Sequence, residues 1–257
     1  MAGFLKNLFA TKTSFQTALA AYGVENCARS GSTILIGLPA KHGNFAPVET
    51  VFDLGSRFSF LAAPAQADVI QAFANSQESQ QAEFIALGTT SLFAETNRAG
   101  GYDITAAVQA LASANLAHLK HLSLGEMEML ANGHPLYCQC GDIGSLIQSA
   151  PHLRRLSIFG SFDLAQPLSH PELEHIEIDV DDIAGSAGEL DQTTFNNMLT
   201  GDMPKLRQLT IDMDDEPDAR LTLPSAFTDR LTLPALRQVH IGNLDDIGRT
   251  WNEEFQG

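Results

Sequence analysis

Apolar residues recur along this chain in a six-residue frame, L-x-x-L-x-L. It reads Leu119-Lys-His-Leu122-Ser-Leu124, then Leu153-Arg-Arg-Leu156-Ser-Ile158, Leu173-Glu-His-Ile176-Glu-Ile178, Leu206-Arg-Gln-Leu209-Thr-Ile211 and Leu236-Arg-Gln-Val239-His-Ile241. A weaker copy, Ala82-Glu-Phe-Ile85-Ala-Leu87, precedes them. The five clear copies start 34, 20, 33 and 30 residues apart. One such frame means little. Five, four of them with two residues drawn from Lys, Arg, Gln and His between the first apolar positions, mark a repeated unit. The alternation within each frame predicts a strand that buries its Leu and Ile positions and turns the residues between them to the other face.

Between the frames the apolar spacing changes from strand-like to helical. Asp103 to Ala117 carries Ile104, Val108 and Leu111 on one face, with Asp103 as a candidate N-cap. Asp142 to Ala150, with Ile143, Leu146 and Ile147, repeats that arrangement in short form, and Gln192 to Thr200, with Phe195 and Leu199, is a third helix. Pro151, Pro171, Pro204 and Pro234 each stand two positions ahead of a frame. A proline there fixes φ and removes a donor, so it separates the preceding segment from the strand.

These features resemble the leucine-rich-repeat family, above all its irregular bacterial members, over about residues 80–250. The stretches that carry the likeness are Gly141-Asp-Ile-Gly-Ser-Leu146 through Pro151-His-Leu-Arg-Arg-Leu156, and His170-Pro-Glu-Leu173-Glu-His-Ile176. The resemblance implies an α/β solenoid, with a parallel sheet on the concave side and helices or irregular segments on the convex side. The family's Asn or Cys, five positions after the second Leu, is replaced by Met127, Ser161, Asp181, Asp214 and Leu244. That side chain bonds backbone groups inside the coil, so the turns here must be satisfied in another way.

The first 80 residues follow a different pattern. Thr33 to Leu38, Val48 to Phe52 and Arg57 to Leu61 are β-like, the loop Pro39 to Asn44 could close a hairpin, and Ala67 to Ala74 reads as a helix. Residues 1–80 are expected to form an α+β cap over the open end of a solenoid spanning 81–257, with a small independent domain as the alternative. Phe4, Leu5, Leu8 and Phe9 give the N-terminus one apolar face rather than the uninterrupted apolar run of a signal peptide.

Composition narrows the function. The 257 residues carry 31 acidic and 15 basic side chains, a net charge of -16. Residues 151–257 hold 20 of the acids. That balance argues against nucleic acid and anionic membrane as partners, and no stretch approaches the 18 apolar residues of a membrane span. Three cysteines, Cys27, Cys138 and Cys140, are too few and too odd in number for a secreted disulfide framework, so a cytoplasmic location is expected.

Chemistry-bearing motifs are sparse. His134, Cys138 and Cys140 form H-x-x-x-C-x-C, a poorer bite for zinc than C-x-x-C. Asp179, Asp181 and Asp182, or Asp212, Asp214, Asp215 and Glu216, offer oxygen ligands without the spacing of a calcium loop. Phosphate-binding, nucleophile-elbow and zinc-protease signatures do not occur, and the eight histidines are scattered. No cofactor is expected.

The frame predicts a polar ladder on the sheet: His121, Ser123, Arg155, Ser157, Phe159, His175, Glu177, Asp179, Gln208, Thr210, Asp212, Gln238 and His240. The expected function is non-enzymatic recognition of a basic protein partner by a monomer. Its candidate binding residues are Arg155, Phe159, His175, Glu177, Asp179, Gln208, Asp212 and His240, with Phe159 as anchor and the acids steering. The alternatives are a metal-binding or enzymatic protein using His134, Cys138 and Cys140, and a structural subunit of a larger assembly.

Overall fold

A computed structural model describes residues 27–30, 33–36, 58–62, 67–76, 79–80, 82–88, 103–125, 138–180, 190–213, 221–228, 233–242 and 251–254. Eleven strands join one sheet: β1 (Cys27–Ser30), β2 (Thr33–Ile36), β3 (Phe58–Ala62), β4 (Phe84–Gly88), β5 (His121–Leu124), β6 (Cys138–Asp142), β7 (Arg155–Asp163), β8 (His175–Val180), β9 (Gln208–Met213), β10 (Gln238–Ile241) and β11 (Trp251–Glu254). The helices are α1 (Ala67–Ala74), α2 (Thr105–Ala112), α3 (Gly144–Gln148), α4 (Gln192–Leu199) and α5 (Ser225–Thr228).

The strand order is β1-β2-β3-β4-β5-β7-β8-β9-β10-β11, with β6 off the path beside β7. Every pairing from β2 through β10 is parallel, while β1 and β11 close the two ends antiparallel. The chain is thus an α/β protein built on a parallel sheet with few helices. Strands β2 and β3 of the first 80 residues continue this sheet into β4 without a break.

The frames fall into register. Ile85, Leu122, Leu156, Ile176, Leu209 and Val239 are successive partners across the sheet, as are Leu87, Leu124, Ile158, Ile178, Ile211 and Ile241. All are buried in one core cluster with the leading residues Ala82, Leu119, Leu153, Leu173, Leu206 and Leu236. Burying a side chain of this size contributes on the order of 2 kcal/mol. Two rows of such residues, added to by each strand, explain why every unit needs a neighbour. The apolar faces of α2, α3 and α4 close over the same cluster through Val108, Leu111, Leu146, Ile147, Phe195 and Leu199.

The backbone repeats with the frame. The amide of each residue after the leading one donates to its counterpart in the preceding unit: Lys120 to Glu83, Arg154 to Lys120, Glu174 to Arg154, Arg207 to Glu174 and Arg237 to Arg207, at 2.8–2.9 Å. Ahead of four frames a turn closes from the leading leucine's N–H to the carbonyl three residues back, on Leu116, Ala150, Met203 and Leu233. In three of these the proline is the second turn residue, where its fixed φ is already correct.

Several expectations are corrected. The helix expected over Asp103 to Ala117 is Thr105–Ala112, because Ser113 and Ala114 turn back on Ala110 and Leu111 and end it. Asp103 accepts from the Thr105 amide at 2.9 Å, and Asp142 repeats this toward Gly144. Cys138–Asp142, where no strand is expected from the frames, is strand β6. It pairs with the far half of β7, Cys138 opposite Gly160 and Gln139 opposite Ser161, and bridges Asp103 on its other side. Strand β7 can serve both ladders because it bends at Gly160, whose φ is +127°. Val48 to Phe52, the 39–44 loop and the apolar N-terminal face lie outside the described residues.

Candidate functional site

The polar positions of the frames form the second face of the sheet. One row runs Phe84, His121, Arg155, His175, Gln208 and Gln238 across β4 to β10. The next runs Ser123, Ser157, Glu177, Thr210 and His240 from β5 to β10. A third brings Phe159, Asp179 and Asp212 side by side at the strand ends. All eight candidate residues therefore lie on this one face. The acids Asp181, Asp182, Asp214, Asp215 and Glu216 lie outside the described residues, as does His134.

Neighbouring strands tie this face together. His121 stacks on its register partner Phe84 with ring centroids 4.3 Å apart and planes 20° apart. Its Nε2 lies 3.4 Å from Ser157 Oγ on β7. Arg155 crosses diagonally to Glu177, with Nη2 2.8 Å from Oε2. Burial against the aromatic ring and strands, helped by the Arg155 guanidinium, pushes the His121 imidazole from 6.5 down to about 4. The imidazole is accordingly neutral at pH 7 and cannot act as a second cation beside Arg155.

Exposure along the ladder differs from the frame's prediction at three positions. Ser123, Ser157 and Phe159 are buried rather than exposed. The serines are the smallest side chains of their row, and His121 reaches across to Ser157, so longer neighbours cover them. Phe159 is only 7% exposed and lies outside the main core cluster. Gly125 runs close against it: a side chain at 125 would meet the Phe159 carbonyl and stand 3.1 Å from its Cβ. Phe159 is thus not available as an exposed anchor. Arg155, Gln208, Asp212 and Gln238 are exposed, and His175, Glu177, Asp179 and His240 are half-buried.

The thiols of Cys138 and Cys140 lie in the core, fully buried and unoxidised. Burial pushes the Cys140 thiol far above its ordinary range, the reverse of what a nucleophile or metal ligand needs. Among the described residues no group of three His, Cys, Asp or Glu side chains could hold a metal ion, and none of the helices is long and apolar enough to cross a membrane.

Sequence reasoning missed two sets of residues. Phe84 belongs to the weak first frame, and only the register with His121 reveals its role. The polar groups of α4 that bind neighbouring backbone also escaped notice. Asn197 Nδ2 donates to Leu164 O at 2.7 Å, Thr194 Oγ1 accepts from Leu164 N at 3.2 Å, and Gln192 binds both backbone groups of Thr222 at 2.8 and 3.0 Å. Helix α4 thus holds the connection before it and the segment after it, through Gln192, Thr194 and Asn197.

No protein-family model matches the chain, and no curated protein does. Among solved structures it is similar to a Bacteroides fragilis protein determined as a structural-genomics target, at 16% identity and a TM-score of 0.47. The likeness covers 71% of this chain and 52% of that one, so the chain spans about half the length of that neighbour.

Proposed function

We propose that the chain is a solenoid of leucine-rich-repeat type that recognises a protein partner through the polar face of its strands, without catalysis. The observation that supports this reading best is the register: from β4 to β10 the frames align residue for residue, with one face in the core and the other presenting rows of polar groups. Extended sheet surfaces of this kind suit the broad, shallow contact of a protein better than a small ligand. Glu177, Asp179 and Asp212 stand on adjacent strands in a chain of net charge -16, which favours a basic partner. Arg155 offsets part of this charge at Glu177. On this reading the protein acts as a monomer in the cytoplasm.

The test is affinity capture from native lysate with the wild type and a Glu177→Lys, Asp179→Lys, Asp212→Lys variant, both checked for folding by circular dichroism. A basic protein retained by the wild type, released as salt rises and lost by the variant is the expected result. Equal retention with the same salt dependence would remove the acidic strip from the interface.

A further inference from the structure

His170 occupies a place that is apolar before each of the other four clear frames. The first residue of the turn before a frame is Leu116, Ala150, Met203 or Leu233, all buried, and its carbonyl accepts the leading leucine's N–H. Before the frame that starts at Leu173 that place belongs to His170, also buried at 3% exposure. Its ring takes a part that backbone plays elsewhere. Nε2 lies 3.0 Å from Ala150 O in the unit before, and the Glu172 amide donates to Nδ1 at 3.2 Å. The residue's own N–H reaches Asp202 O in the unit after, at 2.9 Å.

These partners define the protonation state. A carbonyl oxygen only accepts, so Nε2 must carry the hydrogen. A backbone N–H only donates, so Nδ1 must keep its lone pair. Only the neutral Nε2–H tautomer satisfies both, because a proton on Nδ1 would face another donor. Burial lowers the ring's pKa from 6.5. The bond to Ala150 and the Glu172 carboxylate act the other way, and His152 acts with burial. Glu172 is itself held by Lys205 at 2.7 Å, and Arg154 and Glu174 face each other at 4.0 Å beyond it, while Asp202 lies in the turn that receives the His170 N–H.

The segment carrying His170 depends on such links. It joins β7 to β8 over residues 164–174, where the frames are most closely spaced and no helix intervenes. Its polar groups are bound from outside, by Thr194, Asn197, Asp202 and Ala150. The sheet beneath has its own pairing, Arg155 to Phe159 against His175 to Asp179.

We propose that His170 is an acid-sensitive joint: its neutral ring and its backbone N–H together tie three successive units, and protonation releases the 164–174 connection while the sheet stays paired. Opening frees an imidazole that titrates at its ordinary value of 6.5. Linkage then favours the open form by up to about tenfold between pH 7.5 and 5.5.

The experiment is amide hydrogen exchange on the full chain at pH 7.5 and 5.5, corrected for the intrinsic pH dependence, in the wild type and in His170→Gln. Gln keeps a donor for Ala150 and does not titrate. The expected result is a loss of protection approaching tenfold over 164–174 in the wild type, with β7 and β8 unchanged, and no such loss in the variant. Constant protection in the wild type, or the same loss in both proteins, would overturn the joint. If His170→Gln does not fold, ring-nitrogen NMR of the wild type decides. A Glu172 amide that opens as the His170 ring protonates supports the joint, and one that stays protected through ring protonation refutes it.

Discussion

Gly160 should resist replacement by any other residue. It stands where β7 leaves the main sheet and pairs with β6, at φ +127°, a region that side-chain-bearing residues rarely enter. A Cβ there would stand 2.8 Å from the Cys138 carbonyl carbon, and closer still to that residue's oxygen and nitrogen. The obstacle is backbone of the paired strand, so no rotamer change relieves it. Gly160→Ala therefore meets two costs, about 1–3 kcal/mol for the backbone conformation and about 1–3 kcal/mol for overpacking. Together they amount to roughly 2–6 kcal/mol, a large part of the 5–15 kcal/mol typical of a domain. Gly144 supplies the contrast within the same unit. A Cβ at its helical position meets only Asp142 Oδ1, at 3.2 Å, and Gly144→Ala should change stability by less than about 1 kcal/mol. Urea unfolding followed by circular dichroism compares the two. A Gly160→Ala midpoint indistinguishable from that of Gly144→Ala would refute the idea that β7 must thread past Cys138 on bare backbone.

Two further predictions concern pH and capping. His121 has a folded-state pKa pushed down to about 4, so as pH falls below 6.5 the unfolded chain takes up the proton first and stability is lost progressively until about pH 4. The loss reaches about 2 kcal/mol by pH 5, and His121→Gln should shed that part of it; urea unfolding at pH 7.5 and 5 would show equal losses in the two proteins if His121 is not the responsible group. At the start of α4, Asp191 accepts from the Thr194 amide at 2.9 Å and the Thr194 hydroxyl at 3.0 Å, bonds that keep its carboxyl below its usual range. Asp191→Ala should cost about 1 kcal/mol and Asp191→Asn much less, read from unfolding midpoints at pH 7; equal costs would show that charge, not hydrogen bonding, makes the cap.

The apolar half of this architecture was legible because each frame states it independently. Leu122, Leu156, Ile176, Leu209 and Val239 share a spacing that only a strand can bury on one side, and the prolines before four frames mark where each strand unit begins. Helices α1 and α4 were legible for the same reason, one apolar face in a short window. Strand β6 was not. Cys138-Gln-Cys-Gly-Asp142 has no branched or aromatic residue and a glycine near its end, so its own propensity is poor. It is a strand because β7, bent at Gly160, offers it a free edge, and that is a property of the neighbour.

The polar face obeys a different logic. In a parallel sheet the residue beside any side chain belongs to a unit some 20 to 37 residues away in sequence, so exposure on this face depends on pairs that no local window contains. Ser157 is hidden because His121, in the unit before, is long enough to reach over it, and His121 is neutral because burial lowers its pKa and the Arg155 guanidinium adds to the shift. The side chains that tie the connections together illustrate the same point: Thr194, Asn197, Gln192 and His170 sit at unrelated offsets, each satisfying backbone of an adjacent unit. An irregular array can dispense with a ladder of identical residues if each connection finds its own donor. The connections then differ in chemistry, and the one over 164–174 is held in part by an imidazole.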